Sequence, residues 1–230
     1  MISRVLNYIF PSECPSCGSP TDNMSFAPFC SDCWAGMRRY DGPSCRICAT
    51  PFSSGHAHVC SDCLKEPPLF SKAMSFGVYE GTLSEAINFY KFHGIKRLSG
   101  PLGRLLLGFD ADGADAVVPV PLSIRGLRER GFNQSLLIAK TFSKNKSIPL
   151  IMDGLIKQKE TQPQIGLSAR ERAKNLKGSF SATRDFKGMR LILIDDVMTT
   201  GATANECCRQ LVSAGAVDIR VLTLARAGDR

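Results

Sequence analysis

The sequence predicts an α/β domain, a parallel sheet with helices on both faces, preceded by a small cysteine-rich unit. Three observations predict it. Eight of the ten cysteines lie within the first 63 residues as four Cys-x-x-Cys pairs. After Pro67 and Pro68, apolar strand-like runs alternate with helical stretches whose connections are too long for hairpins, the pattern of a parallel sheet. Leu191 to Ile194 is a continuous apolar run, as a strand buried on both faces must be. The 230 residues suffice for one mid-sized and one small domain, expected at 1–68 and 69–230. No apolar run approaches the roughly 20 residues of a membrane span. With 43% hydrophobic and 22% charged residues, transmembrane, collagenous and disordered classes are excluded.

Residues 1–10 carry apolar side chains at Ile2, Val5, Leu6, Ile9 and Phe10, the spacing of one helical face, and predict a short helix. A secretion signal would show a continuous apolar stretch and a small-residue cleavage site, and neither is present. A cytoplasmic location with reduced thiols is therefore expected. Reduced Cys-x-x-Cys pairs act as metal knuckles, each placing two thiolates on one tetrahedral ion. Cys14, Cys17, Cys30, Cys33, Cys45, Cys48, Cys60 and Cys63 thus predict two structural zinc sites of four thiolates each. The first four and the last four are expected to pair, although an interleaved arrangement has the same signature. His56 and His58 flank Cys60 and offer alternative ligands. From Pro11 to Pro68 the only branched aliphatic residues are Ile47, Val59 and Leu64, too few for a core, so metal is expected to hold the segment.

Ala73 to Tyr79 predicts a strand, and Leu83 to Arg97 a helix with Leu83, Ala86, Ile87 and Tyr90 on one face. Pro101 to Phe109 predicts another helix and Ala116 to Val120 a short strand running into Pro121. Asn133 to Phe142 predicts a helix that offers Leu137, Ile138 and Phe142 to the core. The strand from Leu191 is expected to end at Asp195 and Asp196. A turn of small residues, Thr199, Thr200, Gly201, Ala202 and Thr203, then leads into a helix over Ala204 to Ala214. Cys207 and Cys208 are expected there as buried small hydrophobes.

A strand, an acidic pair, a small-residue turn and a helix N-terminus make a place for an anion. Backbone N–H groups and hydroxyls face a phosphate while the helix dipole favours negative charge. No lysine follows Gly201, so this is not a Walker loop. The carboxylates repel phosphate but suit the 2′ and 3′ hydroxyls of a ribose, or a magnesium bound to it. Phosphate on one side and a diol on the other describe a ribose 5-phosphate. The net charge of +8 agrees with such a ligand. Between residues 125 and 190, fifteen Lys and Arg stand against Glu129, Asp153, Glu160, Glu171 and Asp185. That density favours a polyanion, either a phosphorylated small molecule or a nucleic acid.

LILIDDVMTTGAT, residues 191–203, resembles the phosphoribosyl pyrophosphate motif of type I phosphoribosyltransferases. The resemblance implies that Asp195 and Asp196 hold the ribose hydroxyls, with magnesium, and that Thr199, Thr200, Gly201, Ala202 and Thr203 wrap the 5′-phosphate. PVPLSIRGLRERGFNQ (119–134) and TQPQIGLSARERAKNLKGSF (161–180), with the four knuckles upstream, resemble the ComF family. That family joins a double zinc ribbon to a type I phosphoribosyltransferase domain. The resemblance implies that Pro121, Leu122 and Ser123 cradle pyrophosphate, with Arg125, Arg128 and Arg130 as candidates to neutralise it through bidentate contacts. Thr161, Gln164, Arg170, Arg172 and Asn175 are candidates for the mobile hood of such enzymes, against a plain basic surface segment. Lys91 and His93 before Gly94 match a further family position, against a plain surface pair.

The resemblance implies a role in natural competence and DNA uptake, with single-stranded DNA and other competence proteins as partners; some members serve gluconate use. Two activities are open. One is a phosphoribosyl-pyrophosphate-binding module. The other is an active phosphoribosyltransferase of unknown acceptor, in which the acceptor attacks ribose C1′ as pyrophosphate leaves. Purine-salvage members that use oxo bases carry an Asp four residues after the first acid; Thr199 stands there, which argues against hypoxanthine or guanine. For nucleic acid, Trp34, Phe132, Phe142 and Phe180 are candidate stacking surfaces.

Overall fold

The computed structural model describes residues 13–159 and 174–228. The helix predicted over residues 1–10 and the hood candidates Thr161, Gln164, Arg170 and Arg172 lie outside them.

The cysteine-rich segment repeats one knuckle twice. Cys14 N donates to Ser19 O at 2.8 Å and Gly18 N to Cys14 O at 2.8 Å; Cys45 N donates to Thr50 O at 2.8 Å and Ala49 N to Cys45 O at 3.0 Å. Both turns need a positive φ, +75° at Gly18 and +57° at Ala49. Cys30 and Cys60 each cap a short helix, α1 (Ser31–Gly36) and α2 (Ser61–Lys65). Metal is not the only support. Phe29 is fully buried and meets Phe89 edge-on at 5.7 Å, and Trp34 stacks on Phe26 at 5.1 Å. The Ile47 carbonyl accepts from Ala73 N at 2.6 Å. The scarcity of branched aliphatics understates the packing because aromatic and cysteine side chains supply it.

The main sheet has four parallel strands in the order β1 (Lys72–Val78), β6 (Asp218–Arg226), β5 (Arg190–Met198), β2 (Ala116–Pro119). Strand alternation sorts the apolar residues into two cores. Val117, Ile192, Ile194, Leu222 and Leu224 pack with α3 (Gly81–Phe92), α4 (Ser99–Leu105) and α6 (Gln134–Lys146). Val118, Leu191, Leu193, Ile219 and Val221 pack with α7 (Ala202–Ser213) on the opposite face. Helices therefore cover both faces, as expected of a parallel sheet. Two elements frame the sheet's carboxyl edge: α5 (Ile124–Arg130) after β2, and an antiparallel ribbon of β3 (Leu155–Lys157) and β4 (Phe180–Ala182).

Several details depart from the sequence reading. The helix predicted over Pro101–Phe109 spans Ser99–Leu105 with a 3-10 turn at Leu106–Gly108, and the one predicted over Asn133–Phe142 spans Gln134–Lys146. The helix predicted to Arg97 stops at Phe92, because Gly94 takes φ +66° and only a single 3-10 turn follows at Lys96–Leu98. β5 does not end at the acids; pairing with β6 continues past Asp195↔Thr223 to Met198↔Arg226. α7 begins at Ala202, two residues earlier than expected. α5, the β3–β4 ribbon and β6 carry no prediction. β6 is central to the sheet, but Arg220 and Thr223 interrupt its apolar run.

Candidate functional site

A cleft of about 340 Å³ opens at the carboxyl ends of the strands, where parallel sheets place their ligands. β5 delivers Asp195 and Asp196 to it, the loop after β2 delivers Pro121 and Leu122, and the turn before α7 together with the helix's first turn delivers Thr199 and Thr203. The loop after β2 lies more than 70 residues upstream of the contiguous 195–203 stretch, and the sheet brings the two together at one cleft.

The acidic pair is held rigidly. Asp195 Oδ1 accepts from Ser135 Oγ at 2.8 Å and from Asp196 N at 2.9 Å. Asp196 Oδ1 accepts from Val197 N at 2.7 Å and pairs with Lys91 Nζ at 2.9 Å. Lys91 is thus a cleft residue and not a surface cation, its side chain only 15% exposed. His93 by contrast stacks on Phe89 at 4.5 Å, outside the cleft. Burial, reinforced by the like charge of Asp196, pushes the Asp195 carboxyl up to about 7, against the opposing pull of Lys91 and Ser135.

That shift has a sign. Between the ordinary value of 3.8 and about 7 the folded chain holds the proton more tightly than the unfolded chain. Stability of the ligand-free protein is therefore full below the lower value and falls as pH rises through the upper one. Asp195→Asn is expected to raise the melting temperature at about pH 8 and to change it little near pH 4. Calorimetry at both values checks this; equal shifts would mean that ionisation of the buried carboxyl is not what destabilises the free protein.

The turn that follows suits a phosphate. Gly201 sits at φ +79°, ψ 0° as the residue before α7, a left-handed conformation that lets the chain reverse while the first-turn N–H groups face outward. Thr199, Gly201, Ala202 and Thr203 line a small hollow of about 20 Å³ together with Asp195 and Thr223. Thr200 is exposed and its Oγ1 lies 3.4 Å from Ala202 N.

Of the residues expected near pyrophosphate, Pro121, Leu122 and Arg130 border the cleft. Ser123 caps α5, accepting from Gly126 N at 3.1 Å. Arg125 and Arg128 are exposed and do not line the cleft; Arg125 pairs with Glu129 at 2.7 Å. The reason is helical geometry, because α5 turns successive positions around its axis. Sequence reasoning did not single out Gln134 and Ser135 at the start of α6, Tyr79 after β1, or Lys157 on the ribbon. Gln134 Oε1 accepts from Arg130 Nη1 at 3.3 Å, while its Nε2 is buried with no partner among the described residues. Gln134 closes the 119–134 block but carries no role there, and no local motif marks Ser135, Tyr79 or Lys157, which tertiary packing brings to the cleft. Asn175 is half-buried beside the ribbon and outside the cleft.

Two of the stacking candidates are excluded. Phe142 is fully buried and Phe132 is 7% exposed, so neither face is available to a base. Phe180 is also buried but borders the cleft, and Trp34 is covered on one face by Phe26. Cys207 and Cys208 are fully buried, and burial pushes both thiols well up, as expected of small hydrophobes.

The eight knuckle cysteines form two four-cysteine groups in sequential pairing, Cys14/Cys17/Cys30/Cys33 and Cys45/Cys48/Cys60/Cys63. Cys17 Sγ lies 3.6 Å from Cys30 Sγ, and Cys48 Sγ 3.7 Å from Cys60 Sγ. A tetrahedral zinc with bonds of about 2.3 Å separates its sulphurs by about 3.8 Å, so both cages fit the ion. These are two zinc sites. All four positions of each are filled by thiolates, so their role is structural.

Comparison with known proteins agrees with this anatomy. Residues 5–64 match the double zinc ribbon domain and residues 134–230 the phosphoribosyl transferase domain. The chain is 34% identical over 209 residues to competence protein F of Haemophilus influenzae, covering 86% of this chain and 90% of that protein. It is 32% identical over 208 residues to the DNA utilization protein YhgH of Escherichia coli K12, covering 86% and 89%. Among solved structures, the glutamine phosphoribosylpyrophosphate amidotransferase of B. subtilis complexed with ADP and GMP aligns at 27% identity and a TM-score of 0.39. The match covers 54% of this chain and 25% of that longer one. With both domain types matched and identity sustained along most of its length, the chain belongs to the ComF family, in which a double zinc ribbon precedes a type I phosphoribosyltransferase fold.

Proposed function

We propose that the cleft binds phosphoribosyl pyrophosphate with magnesium and that the protein acts in natural competence, at DNA uptake on the cytoplasmic side of the membrane. Residues 1–68 serve as its zinc-bearing unit and 69–230 as its ligand-binding unit. One observation carries the reading: a rigid carboxylate pair and a glycine-opened helix N-terminus border the same cleft, with Lys91 and Arg130 on its walls. In this reading Asp195 and Asp196 orient the ribose hydroxyls, and their hard oxygen donors suit magnesium. The Thr199–Thr203 turn takes the 5′-phosphate. Arg130, beside Pro121 and Leu122, faces the pyrophosphate. When bound, magnesium neutralises the pyrophosphate and favours its departure. Any transfer catalysed here is a phosphoribosyl transfer. The described residues supply the groups that hold the donor, so binding is the favoured role, with an active phosphoribosyltransferase of unknown acceptor as its alternative.

Single-stranded DNA and other competence proteins are the partners this reading names. Arg128, exposed and outside the cleft, is placed to meet a phosphate backbone while Arg130 serves the donor; Arg125 beside it is held in an ion pair with Glu129. Calorimetry with phosphoribosyl pyrophosphate and magnesium should show binding that Arg130→Ala weakens. Single-stranded DNA affinity should fall with salt at a log-log slope of about −0.7 per phosphate, and Arg128→Ala should flatten it by up to about 0.7, the share of one phosphate. Absence of DNA binding at low salt would return the reading to a transferase of unknown acceptor.

A further inference from the structure

Arg226 is the last residue of β6 and is only 7% exposed. Its Nε donates to the Cys48 carbonyl at 3.0 Å and its Nη2 to Thr50 Oγ1 at 2.7 Å. Its Nη1 donates to the carbonyls of Met198 at 3.2 Å, Thr199, and Ala227 at 3.2 Å. Among the described residues no carboxylate pairs with it. Burying a permanent charge among neutral acceptors alone is unfavourable unless nearly every donor is satisfied. What the guanidinium achieves is a clamp: on one side Cys48 and Thr50 of the second knuckle, on the other Met198 and Thr199, where the chain enters the small-residue turn.

The clamp extends to the metal cage. Thr50 Oγ1 lies 3.1 Å from Cys48 Sγ. A zinc-bound thiolate is an acceptor, so the threonine hydroxyl donates to the sulphur and accepts from the guanidinium. An unbroken hydrogen-bond chain then runs from a metal-binding sulphur, through Thr50 and Arg226, to the backbone of the turn. The first knuckle is wired differently. Its contacts run to α3 through Ser16 and Glu85 and to the segment before α4 through Arg97 Nε and the Ala27 carbonyl at 3.0 Å.

We infer that Arg226 is a positioning residue that couples zinc at the second knuckle to the conformation of the Thr199–Thr203 turn. Zinc loss from the second site loosens the turn and weakens the phosphorylated ligand, whereas zinc loss from the first site leaves the turn in place. The ligand half of this inference rests on the phosphoribosyl pyrophosphate reading; the coupling itself does not.

The full-length zinc-loaded protein tests both halves. Amide hydrogen exchange at residues 199–203, zinc content, and calorimetry with phosphoribosyl pyrophosphate and magnesium are measured for Arg226→Lys, Thr50→Val, Cys63→Ser and Cys33→Ser. Arg226→Lys, which can satisfy only part of the donor set, should keep both zincs, speed exchange in the turn at least tenfold and weaken binding at least tenfold. Thr50→Val should act in the same direction but less. Cys63→Ser should lose one zinc and speed exchange in the turn even though Cys48 and Thr50 remain. Cys33→Ser should also lose one zinc yet leave turn exchange at the wild-type rate. Wild-type exchange in both Arg226→Lys and Cys63→Ser, or equal acceleration by Cys33→Ser, overturns the coupling. Accelerated exchange in a protein whose wild type does not bind phosphoribosyl pyrophosphate keeps the coupling and rejects the ligand.

Discussion

Replacing Asp195 and Asp196 together by asparagine is expected to weaken phosphoribosyl pyrophosphate binding at least a hundredfold. Neutral amides neither balance magnesium nor accept the ribose hydroxyl bonds as strongly. Losing two charge-assisted hydrogen bonds at about 1.5 to 3 kcal/mol each exceeds the roughly 2.7 kcal/mol that a hundredfold change requires. The fold should survive, because an amide oxygen at position 195 still accepts from Ser135 and from the Asp196 backbone N–H. Removing Asp196 also leaves the partly buried Lys91 ammonium without its partner; the added positive charge attracts the polyanion and offsets part of the loss, so the hundredfold effect must come from the lost ribose and magnesium contacts. Calorimetry of the zinc-loaded double variant decides the matter. Unchanged affinity would mean that the pair is not the ribose site.

The second large effect concerns the metal. Protein purified without chelator is expected to carry two zincs per chain by elemental analysis. Stripping both should unfold the cysteine-rich segment, because a structural zinc contributes on the order of 10 kcal/mol of apparent folding free energy, comparable to the whole stability of a domain. Each unit otherwise rests on a few turn hydrogen bonds and on contacts with the sheet domain, Phe29 against Phe89 of α3 for the first, and the Ile47–Ala73 backbone bond and the Arg226 clamp for the second. Chelation should therefore lower the melting temperature and expose Trp34 to solvent, read by its fluorescence. A metal-free protein with the same melting temperature, or mapped disulfides between the cysteines, would reject zinc as the support.

Short-range patterns in the sequence determined a good deal. Four Cys-x-x-Cys pairs specify the ligands of two metal cages because each pair places two thiolates on one ion, while which pairs share an ion was decided by the structure; the apolar run at Leu191–Ile194 specifies a doubly buried strand because every side chain must be covered. The acidic pair, the glycine and the threonines of the turn are contiguous, so one stretch of chain carries most of the candidate site. The tertiary structure alone decided what distant segments do. Pairing with β6 carries β5 on through Asp195 and Asp196, and β6 could not be read from its own interrupted pattern. Lys91 becomes the partner of Asp196 because α3 ends beside the strand's carboxyl end, a placement fixed by packing of Leu83, Ile87 and Tyr90 against the sheet. The same applies to Arg130 facing the cleft while Arg125 and Arg128 do not, and to Arg226 joining a zinc knuckle to the ligand turn 178 and 27 residues away. Periodicity reports which face of an element is buried; which groups meet across the molecule depends on how those faces pack together.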